Sequence, residues 1–121
     1  MVSSLQQQPP RRADLETIEN PIVKSAIEAM NNRNKKQWYE LFSDSPMFTD
    51  DGIAHDFSDW CERELFGSSL AYLASIDKVE NSGLTIYGRF HSDQWGDFKT
   101  FLRFHIENGK IIKMAVGQVD Y

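Results

Sequence analysis

The sequence has a single cysteine, Cys61, so no internal disulfide can hold the fold together. No apolar run approaches the roughly 18 residues that a membrane-spanning helix needs. The N-terminal residues lack the apolar core of a secretory signal. Positive charge is also scarce: 13 Lys and Arg stand against 18 Asp and Glu, for a net charge of −5. Nucleic-acid binding relies on a basic face, so that class is disfavoured. His55, His91 and His105 lack the close spacing of zinc ligands, and no metal site is expected. A glycine-rich phosphate loop of the Walker or dinucleotide type is missing as well, and no cofactor is expected. By elimination, a cytoplasmic location and no membrane partner are expected.

What is present fits one globular unit. The 121 residues suit a single domain, and a chain of this length buries roughly 65% of its unfolded surface. Hydrophobic residues make up 40% and charged residues 26%, an ordinary globular balance. Eight Phe, four Tyr and three Trp are generous for this size and favour a core or pocket walled by rings.

Residues 1–15, with Gln6, Gln7, Gln8, Pro9 and Pro10, are polar and proline-broken, and are expected to form a flexible tail. Residues 16–121 then form the domain. Asn20-Pro21 is a strong helix start: Asn caps, and Pro suits the first helical position. Ile22, Val23, Ala26, Ile27 and Met30 follow on one helical face, which Asn31 and Asn32 end. Asn34 and Gln37 have capping-box spacing for a second helix that buries Trp38, Leu41 and Phe42. Ser43-Asp44-Ser45-Pro46 is expected to stop it before a short extended piece, Met47-Phe48-Thr49. Asp50-Asp51-Gly52 makes a turn. A third helix, starting near Asp56 or Ser58, buries Phe57, Trp60, Cys61 and Leu65 and ends at Gly67.

Beyond Leu70 the apolar period becomes two. Strands are expected over Tyr72 to Val79, Leu84 to His91, Phe98 to Ile106 and Lys110 to Val119. The last two are joined at Glu107-Asn108-Gly109. A three-residue loop there would pair Phe104 with Ile112, Leu102 with Met114, Thr100 with Val116 and Phe98 with Gln118. That register gathers an apolar face toward the helices. Lys99, Phe101, Arg103, His105, Ile111, Lys113, Ala115 and Gly117 are left on the outer face. Phe101, Ile111 and Ala115, rimmed by charge, suit pairing with a second copy into a homodimer.

The order helix, helix, Asp50-Asp51-Gly52, helix and four-strand meander resembles the nuclear transport factor two-like superfamily, and within it the SnoaL-like proteins. The resemblance covers about Asn20 to Val119. It is carried by Trp38 to Phe42, Phe48 to Gly52, Gly83-Leu84, Arg103-Phe104 and Asn108 to Ile111. It implies an α+β cone, with N-terminal helices packed on a curved antiparallel sheet of four or more strands. The superfamily includes ketosteroid isomerases, scytalone dehydratases, polyketide cyclases and modules without chemistry, so fold alone does not decide function. By the resemblance, Asp50 falls where the isomerases carry their base. Their tyrosine and protonated aspartate fall on Ala26 and Thr100. Losing two such donors, each worth roughly 2.7–4 kcal/mol, argues against steroid isomerisation.

The candidate ligand-binding residues are Trp38, Tyr39, Phe48, Trp60, Phe90, Thr100, Leu102, Phe104, Met114 and Gln118, with Asp50 the candidate catalytic residue. A few polar groups in an apolar cavity are the usual recipe for a small-molecule site. Against this stand blander readings. Asp50 and Asp51 can be turn residues, the rings can fill a core, and Cys61 beside Trp60 can be packing. Three functions follow in order: a binder of a small, mostly apolar molecule, an acid–base enzyme of isomerase, dehydratase or cyclase type using Asp50, and a dimeric scaffold with a filled core.

Overall fold

The computed structural model describes residues 13–120 of the chain. Residues 1–12 of the expected tail therefore lie outside the described residues. The tail's last three residues are docked: the Ala13 N–H donates to the Leu73 carbonyl, and Leu15–Thr17 form a 3-10 turn capped by Asp14.

Asn20 caps the first helix, α1 (Pro21–Asn31), by accepting from the Ile22 and Val23 N–H groups. Its buried face is Val23, Ala26, Ile27, Ala29 and Met30. Asn34 caps α2 (Lys35–Glu40) by accepting from the Gln37 N–H. Here the chain departs from expectation. The helix ends at Glu40, and Phe42 already belongs to strand β1 (Phe42–Asp50), which runs straight through Ser43 to Pro46. The cause is a backbone bond: the Leu41 carbonyl accepts from the Ile111 N–H at 2.9 Å and draws the chain into the sheet at once. Pro46, which has no N–H, sits where the pairing register slips between Phe42 and Met47.

A short β2 (Ile53–Ala54) folds back on β1, and Asp56 caps α3 (Phe57–Glu64) through the Asp59 N–H. Then come β3 (Ala71–Glu80), β4 (Thr85–Ser92), β5 (Gly96–Glu107) and β6 (Lys110–Gln118). The sheet has six strands in the order β2-β1-β6-β5-β4-β3, antiparallel except where β1 runs parallel to β6. The α+β architecture is the expected one, with helices over one face of the sheet and the core between them.

The β5–β6 register corrects the expected one. Glu107 pairs with Lys110 across a two-residue Asn108-Gly109 turn, both in the left-handed region at φ 51° and 78°. A slip between Ile106 and His105 leaves Ile112 as the extra residue of a bulge. Phe104 therefore pairs with Met114, Leu102 with Val116 and Thr100 with Gln118. The faces of β5 survive because the shift is an even number of residues. Ile111 does not stay on the outer face: the bulge turns it into the core, where it is fully buried. The outer face loses its largest aliphatic residue as a result.

Two contacts that the sequence does not announce tie helices to sheet. The buried Asn31 amide donates to the Leu73 carbonyl at 3.1 Å and accepts from the Leu73 N–H at 2.8 Å. With Ala13, it caps the open edge of β3 as a neighbouring strand would. The Arg33 guanidinium donates to the carbonyls of Leu65, Gly67 and Ser69, fixing the segment after α3. Gly83, at φ 92°, brings the β3–β4 turn against α1: a Cβ there would stand 2.9 Å from the Asn20 backbone nitrogen.

His91, on the outer face, is held between Asp97 at 2.5 Å and Asp93 at 2.6 Å. Hydrogen bonds to both carboxylates, Asp93 first, raise its pKa above the ordinary imidazole value. The clamp thus adds stability that is complete below about pH 6.5 and fades as pH rises through the raised pKa. His91→Gln should lower the melting temperature at mildly acidic pH and converge on wild type in alkaline buffer. An equal deficit at both ends would contradict a charged clamp.

Candidate functional site

A cavity of about 280 Å³ lies between the helices and the inner face of the sheet. Met30 reaches it from α1, and Trp60, Glu64 and Leu65 from α3 and its end. The sheet supplies Phe90, Phe98, Thr100, Leu102, Met114 and Val116, the residues that alternate inward on β4, β5 and β6. Asp50, Asp51, Gln118 and Trp95 add polar atoms to its lining.

Of the residues expected to line a pocket, Asp50, Trp60, Phe90, Thr100, Leu102, Met114 and Gln118 come together here. Four do not. Trp38 is fully buried in a separate ring cluster with Phe42, Phe57 and Phe66, at centroid distances of 4.8, 6.3 and 6.2 Å. Phe48 stands behind the wall, with its ring 4.5 Å from that of Trp60. Phe104 is buried one pair further along β5, past the cavity's end. Tyr39 turns away to α3, its hydroxyl donating to Glu62 Oε2 at 2.8 Å. Burial and then that Glu62 bond raise the Tyr39 pKa. Glu62, bonded first by Lys35 and then by Tyr39, titrates below its ordinary value. Tyr39 instead borders a second depression, of about 410 Å³, with His55 and Asp56.

The two neighbouring aspartates have different roles. Asp51 takes a left-handed turn conformation, donates its N–H to the Val116 carbonyl, and accepts from the Gln118 N–H at 2.9 Å. It secures the end of β6. Gly117 lies beneath it, where a Cβ would stand 2.7 Å from Asp51 Oδ1. Asp50 is half-buried, and its Oδ2 accepts from the Trp60 indole N–H at 3.2 Å. Its Oδ1 takes no hydrogen bond from the described residues. The His55 ring lies 6.5 Å from that of Phe48.

The remaining polar groups are mostly committed. Thr100 donates its hydroxyl proton to the Gly117 carbonyl at 2.7 Å. The Ser92 hydroxyl accepts from the Trp95 and Gln94 N–H groups. Trp95 and Glu64 were absent from the expected set. The Trp95 indole N–H donates to Glu64 Oε1 at 3.1 Å, joining the β4–β5 loop to α3 across the cavity mouth. Periodicity carries no signal for a loop tryptophan or a helix-end glutamate. Cys61 is buried, and burial pushes its thiol up to about 12, with the Trp38 indole pulling back in part. It is a packing residue. Among the described residues no group of three or more His, Cys, Asp or Glu is arranged to hold a metal ion.

No family profile matches the sequence, and no curated protein matches it. Solved structures do match. A nuclear transport factor two-like protein of unknown function from Cytophaga hutchinsonii superposes with a TM-score of 0.61 at 14% identity, over 78% of this chain and 84% of that one. The chain has the nuclear transport factor two-like fold. A candidate polyketide cyclase from Sinorhizobium meliloti gives 0.60 at 15% identity, over 80% and 94% of the two chains. A candidate ketosteroid isomerase from Kribbella flavida gives 0.63 at 6% identity, over 83% and 76%. Such identities show a shared nuclear transport factor two-like fold, and function must be argued from the cavity itself. No helix among the described residues is long and apolar enough to cross a membrane.

Proposed function

We propose that this chain is a binding protein for a small, mostly apolar molecule held between α1, α3 and the sheet. The observation that carries this reading is the 280 Å³ cavity, walled by apolar side chains and supplied with an uncommitted carboxylate oxygen on the half-buried Asp50. Its volume falls just under the roughly 300–1,000 Å³ of drug-sized pockets, which suits a compact ligand of one or two rings. A filled-core scaffold would leave no such space at native packing density. The test is calorimetric titration with naphthylmethanol, a neutral two-ring alcohol. Saturable one-to-one binding is expected, weakened about tenfold or more in Leu102→Trp, whose larger ring occupies the cavity. Binding that Leu102→Trp leaves intact would place the ligand elsewhere.

An acid–base enzyme is the second reading, favoured by the free Asp50 oxygen beside an apolar chamber. The rest of the cavity offers such a reaction little. Ala26 is buried in α1, and the Thr100 hydroxyl proton is engaged by Gly117, so neither stabilises a developing oxyanion.

The same proposal keeps the protein in the cytoplasm and pairs two copies through the outer sheet face. There Tyr87 lies opposite Phe101, and Phe101 opposite Gly117, with Arg103 stacked 4.8 Å over the Phe101 ring. Light scattering at high micromolar concentration should give a dimer mass that Phe101→Glu reduces to a monomer. A monomer mass for the wild type would remove the pairing.

A further inference from the structure

Resting on the binding reading, we infer that the occupant of the cavity is an organic cation: a compact apolar amine whose ammonium group sits against Asp50. The inference comes from the sign of the charges around the cavity together with its rings. Asp50, Asp51 and Glu64 line it, while no Lys, Arg or His does. Arg63 approaches from outside and neutralises only Glu64, through its Nε on Oε2 at 3.0 Å. Glu64 Oε1 is taken by Trp95. Asp51 Oδ1 is taken by the Gln118 N–H. Asp50 Oδ1 and Asp51 Oδ2 remain without a hydrogen bond or a paired cation among the described residues. Of the two side chains Asp50 is half-buried whereas Asp51 is exposed, so Asp50 Oδ1 is the acceptor within the cavity lining.

A hydrogen-bond donor on the ligand is what that oxygen lacks. A charged donor gains roughly twice what a neutral one does. An anionic ligand would meet the unpaired Asp50 carboxylate in a partly desolvated chamber and would be repelled. The rings point the same way. Trp60 is pinned by its indole bond to Asp50, and Phe90 and Phe98 pair at 5.8 Å on the sheet side. Aromatic faces attract ammonium groups, the more so when water is excluded. Met30, Leu102 and Met114 supply apolar lining for the hydrocarbon body. The Trp60–Asp50 bond thus holds ring and carboxylate ready before any ligand arrives.

The experiment compares three probes on one skeleton near neutral pH: naphthylmethylamine, naphthylmethanol and naphthoic acid. Affinities are measured by calorimetry at low and at moderate salt. The amine is expected to bind about tenfold more tightly than the alcohol, and the acid most weakly. In Asp50→Asn, which keeps an acceptor for Trp60, the amine should fall to the level of the alcohol, while the alcohol changes by less than about twofold. Circular dichroism confirms that the variant folds. If the amine and alcohol bind alike, or the acid binds best, the cationic inference is overturned while the cavity reading stands. If no probe binds, the cavity reading itself is overturned, and this inference with it. If the amine is preferred equally in wild type and Asp50→Asn, the assignment of Asp50 is wrong.

Discussion

Phe104→Ala should lower the unfolding free energy by about 3–5 kcal/mol, and Leu102→Ala by nearer 2 kcal/mol. Both side chains are almost fully buried and point to the same face of β5. The difference lies in what surrounds them. Phe104 is packed into the core away from the cavity, so truncation opens a new hole and strips a large ring of its contacts. Leu102 already borders open space, so truncation enlarges an existing cavity and forfeits fewer contacts. Urea unfolding with a shared slope measures both values. Equal losses, or the larger loss at Leu102, would mean that the space beside Leu102 is filled in solution.

Gly88→Ala should cost about 3 kcal/mol or more, which for a domain of this size is a drop of roughly 10 °C in Tm. A Cβ at Gly88 would stand 2.2 Å from the Ser75 carbonyl oxygen and 3.3 Å from the Ile76 Cα. Both are backbone atoms, so no side-chain rotation relieves the clash. Gly88 pairs with Ile76 between two register shifts in β3, one after Leu73 and one after Ile76. These bulges press the edge strand onto β4 and bend the sheet around the cavity. Moving β3 outward to admit a methyl group would also loosen the Asn31 and Ala13 bonds that hold Leu73. A variant that melts like wild type would show that β3 does not cross so closely.

The elements most legible in the sequence were those with a local chemical cause. Asn20-Pro21 starts a helix because a side-chain oxygen can satisfy the orphan N–H groups there, and the structure shows that bond. Inward alternation on β5 placed Thr100 and Leu102 on the cavity wall because strand faces have period two. What failed depended on partners distant in sequence. The Leu41–Ile111 bond converts an expected helix end into a strand. The Ile112 bulge sends Ile111 inward although turn counting placed it outside. Asn31 reads as a helix terminator, yet its amide grips Leu73, 42 positions along the chain. Periodicity also reports burial without saying what lies beyond the side chain. Trp38, Phe48 and Phe104 are as apolar and as buried as Met114, but face packed rings and core instead of open space. The cavity's rim was the least legible part: Trp95 and Glu64 meet only because the β4–β5 loop folds back over α3.

The central claim is that the space between the helices and the sheet receives an apolar molecule. Three methionines make a direct test. Met30 and Met114 line the cavity, whereas Met47 lies outside it and is 65% exposed. In protein labelled with ¹³C at the methionine methyl groups, naphthylmethanol is titrated in and the NMR spectrum followed. Aromatic ring currents act over only a few ångströms. The account expects the Met30 and Met114 methyl signals to shift together and saturate, while Met47 stays in place. Met30 and Met114 signals that do not move at the highest probe concentration, or that move no more than Met47, would contradict it.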